Sequence, residues 1–228
     1  MAIYAISDLH LCLSNPEKSM ETFGDKWKEY IEKMTLNWNK TVKKTDTVII
    51  PGDISWALKL EEAYEDFKYI NELPGTKILL KGNHDFYFTT ATKVEQFLKA
   101  NNFNTIKILT TNSYYVEGYN ICGSRMWGTT ERENTDDTKI HRREYIRLKL
   151  SLDSIDEENM NKPIIVATHF PPFRHEVMKL LQKYGVKKCI YCHLHGEGHY
   201  MVRQGLIDDV EYIMVSGDYT DFNLIRLN

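Results

Sequence analysis

Lys77-Ile78-Leu79-Leu80-Lys81-Gly82-Asn83-His84-Asp85 is the stretch whose reading decides the fold. Ile78, Leu79 and Leu80 follow the turn pair Pro74-Gly75 and stop at Gly82. A short apolar run bounded in this way reads as a strand of a sheet covered on both faces. Beyond the glycine stand an amide, an imidazole and a carboxylate in succession, a trio that no packing rule asks for. Gly82 lets the backbone turn sharply and approach whatever those side chains bind.

The same arrangement recurs along the chain. Ala2 to Ser7 reads as a strand ending in Asp8-Leu9-His10, and strand alternation is expected to point Asp8 and His10 the same way. Thr47 to Ile50 reads as a buried strand closed by Pro51-Gly52-Asp53. Pro163 to Thr168 ends in His169-Phe170-Pro171-Pro172, and Lys188 to Cys192 delivers His193-Leu194-His195. Five of the chain's eight histidines therefore sit just past apolar strands. In an open α/β sheet the carboxyl edge of the strands is where ligands bind.

Between these strands the spacing predicts helices. Trp27, Tyr30, Ile31, Met34 and Trp38 recur at helical intervals, with Gly24 blurring the start. Trp56, Leu60, Ala63, Tyr64 and Phe67 mark a second helix ended by Pro74-Gly75, which makes a βαβ unit with the strands on either side. Thr92 to Ala100 is a third, and the segment with Val177, Leu181 and Tyr184, stopped by Gly185, is a further one. Residues from about Thr105 to Ser124 read as short strands with a hairpin at Glu117-Gly118-Tyr119-Asn120. Tyr200 to Val202, Val210 to Val215 and Phe222 to Leu227 alternate like an antiparallel meander.

Residues 129–160 carry Glu131, Glu133, Asp136 and Asp137 ahead of Lys139, His141, Arg142, Arg143, Arg147 and Lys149, the charge order that a helix dipole favours. They form either a solvated helix or a set of bases over the site that meets an anionic substrate.

A chain of 228 residues with 42% hydrophobic and 27% charged residues and a net charge of −3 reads as one globular domain, residues 1–228. That charge carries no strong nucleic-acid signal. No apolar run reaches the roughly 20 residues that span a bilayer. The N-terminus lacks a signal-peptide core, so the expected location is the cytoplasm, with Cys12, Cys122, Cys189 and Cys192 reduced.

Carboxylates, imidazoles and one amide suit divalent ions of intermediate hardness such as Mn, Fe, Zn, Ni or Co. The candidates outnumber the ligands of one tetrahedral ion and fit two ions sharing a carboxylate. Two ions about 3.5–4 Å apart can clamp the oxygens of an in-line phosphoryl displacement.

Asp8-x-His10, Gly52-Asp53, Gly82-Asn83-His84-Asp85, His169 and His193-x-His195, in this order, resemble the calcineurin-like metallophosphoesterase superfamily. The resemblance implies a four-layer αββα sandwich of two mixed sheets flanked by helices. It implies that Asp8, His10 and His195 hold one divalent metal, that Asn83, His169 and His193 hold a second, and that Asp53 bridges them. It also implies that His84 protonates the leaving oxygen while a bridging hydroxide attacks the phosphorus of a phosphate mono- or diester.

The family's phosphatase branch often carries a carboxylate and an Arg where this chain has Trp56 and Ala57, which leaves the group that orients His84 undefined. Cys192 stands where the family usually has Gly, and Asp85 reads as a supporting partner or a turn cap. Phe170, Arg174 and Arg125 are candidate substrate contacts, for a nucleotide among other phosphate esters, and Trp127, His141 and Asp218-Tyr219 are weaker ones. Phe86, Tyr87, Phe88 and Phe173 either stack on a substrate or pack between loops.

Two alternatives accompany this reading. One is a non-catalytic protein-interaction module on the same scaffold. The other is a haem protein, because Cys189-Ile190-Tyr191-Cys192-His193 matches the C-x-x-C-H attachment signature.

Overall fold

The computed structural model describes residues 1–128 and 135–228. Glu131 and Glu133, the first members of the acidic run, lie outside the described residues.

Apolar runs without polar alternation form the central strands. β1 (Ile3–Ala5), β2 (Thr47–Ile50), β3 (Thr76–Leu79) and β4 (Ile106–Ile108) pair in parallel in that order. The second sheet holds β5 (Tyr114–Val116), β6 (Tyr119–Ser124), β7 (Ile164–Thr168), β8 (Lys188–Tyr191), β9 (Gly205–Ile207) and β10 (Val210–Met214), in the order β5-β6-β7-β8-β10-β9. β11 (Ile225–Arg226) returns to the first sheet, antiparallel to β1. Both sheets are therefore mixed.

Three apolar layers account for the sandwich. Val48, Ile50 and Leu79 face Trp38, Phe67, Val94 and Leu98 of the helices over the first sheet. Ile3, Ala5, Ile49 and Ile78 turn the other way and meet Ile121, Ile165, Ala167 and Ile190 between the sheets. Ile164, Val166, Cys189 and Tyr212 face Leu148, Leu152, Val177 and Leu181 on the far side. Successive strand side chains point to opposite faces, and here both faces are covered, so Val48-Ile49-Ile50, Ile78-Leu79 and Ile164-Ile165-Val166-Ala167 are apolar at consecutive positions. The fold is an α/β sandwich of two mixed sheets flanked by helices.

The helices α1 (Tyr30–Thr41), α2 (Tyr64–Glu72), α3 (Ala91–Ala100), α4 (Thr135–Asp153) and α5 (His175–Lys183) correct several expectations. Trp27 belongs to a 3₁₀ turn ahead of α1, and Trp56 precedes a 3₁₀ turn at Leu60–Ala63 that leads into α2. Their aromatic spacing reflects loops folded over a common core. The expected meander is also corrected. Tyr200 and Met201 are exposed in a 3₁₀ turn, and β10 lies parallel to β8 and antiparallel to β9, while the last segment crosses to the other sheet. Alternation reports a half-buried strand but not its partner.

The solvated-helix reading of α4 is corrected in part. Leu148, Leu152, His141 and Glu144 are buried, whereas Arg142, Arg143 and Arg147 are exposed. His141 Nδ1 lies 3.2 Å from Glu176 Oε1 of α5, so it ties the two helices together.

Candidate metal centre

The carboxyl ends of β1, β2, β3, β7 and β8 converge, and the backbone there departs from strand geometry at once. Asp8, His10, Asp53 and His193 have φ of 57°, 42°, 50° and 76°, in the left-handed region that side-chain-bearing residues rarely occupy. The common direction of Asp8 and His10 comes from these two turns and not from strand alternation. Local strain of this kind persists only where surrounding structure enforces it.

That enforcement is a contact between glycines. A Cβ on Gly52 would lie 2.6 Å from Gly82 Cα, and one on Gly82 would lie 2.2 Å from the Asp53 nitrogen, so the loops after β2 and β3 meet where neither has a side chain. Asp85 binds them together. Its Oδ1 accepts from the N–H groups of Ile54 (2.8 Å) and Ser55 (3.2 Å) and from the Tyr87 hydroxyl (3.1 Å), and its Oδ2 accepts from the Gly82 N–H (2.7 Å). Burial and the neighbouring Asp53 carboxylate push Asp85 up from the usual carboxylate range.

Among the described residues, potential ligands gather as Asp8, His10 and His195, as Asp53, His169 and His193, and, overlapping both, as Asp8, His169 and Cys192. Asp53 Oδ2 stands between the first two, 3.8 Å from His10 Nε2 and 3.4 Å from His169 Nε2. Asn83 Oδ1 lies 2.7 Å from His169 Nε2, which adds the amide to the second group. Asp8 Oδ1, Asp53 Oδ2, both nitrogens of His10 and His195 Nε2 are buried without hydrogen-bond partners. Such a set of orphaned lone pairs, all hard or borderline donors, fits divalent cations.

Burial opposes the charge of Asp8, but His195 beside it holds the carboxyl well below its ordinary value, and His169 does the same for Asp53. Burial lowers His10 and His193 to about 4, which keeps both imidazoles neutral, as ligation requires. Burial also works against His195, yet Asp8 and Asp218 raise it to about 10.

The supporting contacts were only partly legible in the sequence. His195 Nδ1–H donates to Asp218 Oδ1 (2.8 Å), and His199 Nε2 lies 3.2 Å from Asp218 Oδ2. Asp218 follows Gly217 just past β10, the same strand-glycine-acid signature as Gly52-Asp53, and this signal could have promoted it from a weak candidate. His169 Nδ1 lies 3.1 Å from the Pro51 carbonyl, a contact that fixes the ring with Nε2 toward Asn83 and Asp53. The Cys192 thiol lies beside His169 and Asp8, but burial raises it well above the ordinary thiol value, so it stays protonated as a donor to Pro51 O.

His84 is half-buried, its N–H donates to Asp53 Oδ1 (2.8 Å), and its ring lies 4.5 Å from that of Trp56. Trp56 also stacks on His10 at 4.9 Å with an interplanar angle of 24°. The His10 and His84 rings also meet each other, at 5.5 Å, so Trp56 packs against both imidazoles at the position where the family's phosphatase branch often has a carboxylate.

Of the candidate substrate contacts, Phe170 packs 4.1 Å from His193, and Arg125 stacks on Trp127, whose ring lies 5.0 Å from Phe170. Arg174 stands at the N-cap position of α5 without a capping side-chain hydrogen bond. Phe86 is exposed near His84, while Tyr87, Phe88 and Phe173 pack into the core layers. The haem alternative is corrected: Cys189 faces the outer layer and Cys192 the layer between the sheets, so the two thiols cannot hold one porphyrin.

A sandwich with adjacent groups of potential metal ligands at the carboxyl ends of both sheets defines a metal-dependent hydrolase of the layered α/β class. The chain belongs to the calcineurin-like phosphoesterase family, whose model matches residues 1–197. Two solved structures share the fold. The phosphopantetheinyl hydrolase of Mycobacterium tuberculosis is 14% identical with a TM-score of 0.62, over 99% of this chain and 95% of that one. A protein of unknown function from Aquifex aeolicus is 20% identical with a TM-score of 0.53, over the same shares of the two chains. A comparison with curated proteins found no match. The family and the ligand groups together make this protein a metal-dependent phosphoesterase. No described helix is long and apolar enough to cross a membrane.

Proposed function

We propose that the protein hydrolyses a phosphate ester at a centre of two divalent ions, one held by Asp8, His10 and His195 and the other by Asn83, His169 and His193, with Asp53 shared. The observation that carries this reading is Asp53 Oδ2, buried, without a hydrogen-bond partner and facing a histidine of each group. Two bound ions supply Lewis acidity toward a phosphoryl oxygen and a water of lowered pKa.

The chain's own residues do the rest. Asp218 and Pro51 fix the rings of His195 and His169, so their Nε2 atoms need no reorganisation on binding. His84, held through its main chain by Asp53 and flanked by Trp56, presents its ring at the rim as the proton donor to the leaving oxygen.

The test pairs two variants of the Mn-loaded protein on an aryl phosphate monoester and the matching bis-aryl diester. Asp53→Asn should lose metal stoichiometry and turnover together, whereas His84→Asn should keep metal and lose about 10²–10⁴-fold in rate. Full metal loading in Asp53→Asn, or undiminished turnover in His84→Asn, would refute the assignment. The ratio of monoester to diester turnover then sorts the enzyme as a phosphatase or a phosphodiesterase.

A further inference from the structure

Beside the metal centre lies a cavity of about 490 Å³ whose lining includes none of the proposed ligands. Its volume is within the range of small-molecule sites, about 300–1,000 Å³. Its charge is one-sided. Lys81 at the end of β3, Arg125 at the end of β6, and Arg143 and Arg147 from α4 line it, with Glu144 as the acid among its described residues. Glu144 Oε1 serves all three guanidiniums, at 3.6 Å from Arg125, 3.5 Å from Arg143 and 2.7 Å from Arg147. One carboxylate cannot neutralise four cations, and Glu144 is buried while Arg143 and Arg147 are about half exposed toward solvent. Arg125 Nε is buried with no hydrogen-bond partner. Thr90, the N-cap of α3, and Ala91, its first residue, close another side, and a helix N-terminus favours negative charge.

The position of the cavity sets what it can receive. Lys81 stands two residues before Asn83, and the Arg125 carbonyl accepts from the N–H groups of His169 (3.2 Å) and Phe170 (2.9 Å). The cavity and the metal centre are therefore neighbours at the same end of the sandwich, with separate linings. We propose that the cavity binds a second anionic group of the substrate, a phosphate set apart from the ester that is cleaved, so that the preferred substrates are small molecules bearing at least two phosphates. Arginine forks match phosphate oxygens in pairs, and convergence from three elements around a concavity suits a compact dianion. This inference rests on the phosphoesterase reading for the identity of the first group.

The first measurement is calorimetric titration of the full-length, metal-free protein with inorganic phosphate, beside the double variant Arg143→Gln/Arg147→Gln. These positions are exposed on α4, and circular dichroism and metal stoichiometry report whether the variant is folded. Saturable binding should weaken by about tenfold or more in the variant, the effect of losing a charge-assisted hydrogen bond. Binding that is insensitive to the variant places phosphate at the histidines and overturns the proposal. Binding that fails to saturate and vanishes at about 0.15 M salt is the behaviour of a screened surface patch facing an acidic protein, and it overturns the proposal too.

The second measurement compares kcat/KM of the Mn-loaded enzyme on a nucleoside 3′,5′-bisphosphate and on the matching 5′-monophosphate. The wild type should prefer the bisphosphate, mainly through KM, and the variant should lose that preference. Hydrolysis of monoesters with neither phosphate binding nor a bisphosphate preference refutes the second site and leaves the phosphoesterase reading standing. Variant-sensitive phosphate binding without hydrolysis of any ester supports the site and refutes that reading instead.

Discussion

Substituting Gly82 by alanine isolates what the contact between the two glycine loops contributes. The backbone of Gly82 is not in the left-handed region, so alanine there is conformationally acceptable and would by itself stabilise the fold by about 0.4–1 kcal/mol through the unfolded chain. The space opposes it. The new Cβ would lie 2.1 Å from Asp53 Oδ1, 2.2 Å from the Asp53 nitrogen and 2.9 Å from Asp53 Cγ, where ordinary contacts begin at 3.4 Å. The loops must separate by more than 1 Å (3.4 − 2.2 = 1.2), and the nearest atoms include main chain at a residue already strained at a φ of 50°.

Overpacking a tight site costs about 1–3 kcal/mol or more. With main-chain atoms on both sides, about 3 kcal/mol is expected here. For a chain of this size that corresponds to a fall in Tm of about 6–12 °C. Asp53 also accepts from the His84 N–H at 2.8 Å, and its carbonyl accepts from the His10 N–H at 3.0 Å, so its retreat disturbs both ligand groups. The assay is thermal unfolding of chelator-treated protein, followed by calorimetric metal titration. Gly185→Ala is the control, because its φ is +66° and nothing lies within 4 Å of the added Cβ, so only conformational strain of about 1 kcal/mol is felt. A Gly82→Ala protein that melts within about 2 °C of wild type and binds metal normally would refute the contact as the element that holds Asp53 in place.

Asp218→Asn keeps the shape but weakens the acceptor at His195 Nδ1, and metal affinity measured by competition with a chromogenic chelator should fall by about 10–100-fold. Lys77 is buried with its ammonium on the carbonyls of Asn71, Leu73 and Gly75 at the end of α2, and burial lowers it from 10.5 to about 8. Between those two values the unfolded chain holds more protons than the folded one, so raising the pH from about 8 to 10.5 favours folding through this group. Urea unfolding should show wild type gaining on Lys77→Met across that window, with no such gain below it; a constant difference would contradict the burial of a charged amine there.

How much could be read in advance differs from residue to residue. Ile78-Leu79-Leu80 and Val48-Ile49-Ile50 declared themselves as covered strands, because burial on both faces removes polar alternation from the local sequence. Asp8, His10, Asp53, Asn83, His169, His193 and His195 are all legible as strand-end residues, and the fold brings them together from both sheets at one end of the sandwich. Trp56 has helical spacing to Leu60 and Ala63 but lies in the loop before them, since an aromatic spaced for a helix and one packed against two imidazoles look alike in one dimension. Asp218 is hard to recognise in one dimension because its partner His195 lies 23 positions away.

Strand burial and ligand type are local properties of the chain. Apolar runs report burial locally, and the ligand types report the ions they suit. Only the tertiary structure decided the rest: which sheet β11 joins, the seating of Gly52 against Gly82, the left-handed turns that aim Asp8 and Asp53, and the cations gathered around Glu144. These depend on atoms brought together from distant positions, and the free energy of such a contact belongs to neither residue alone.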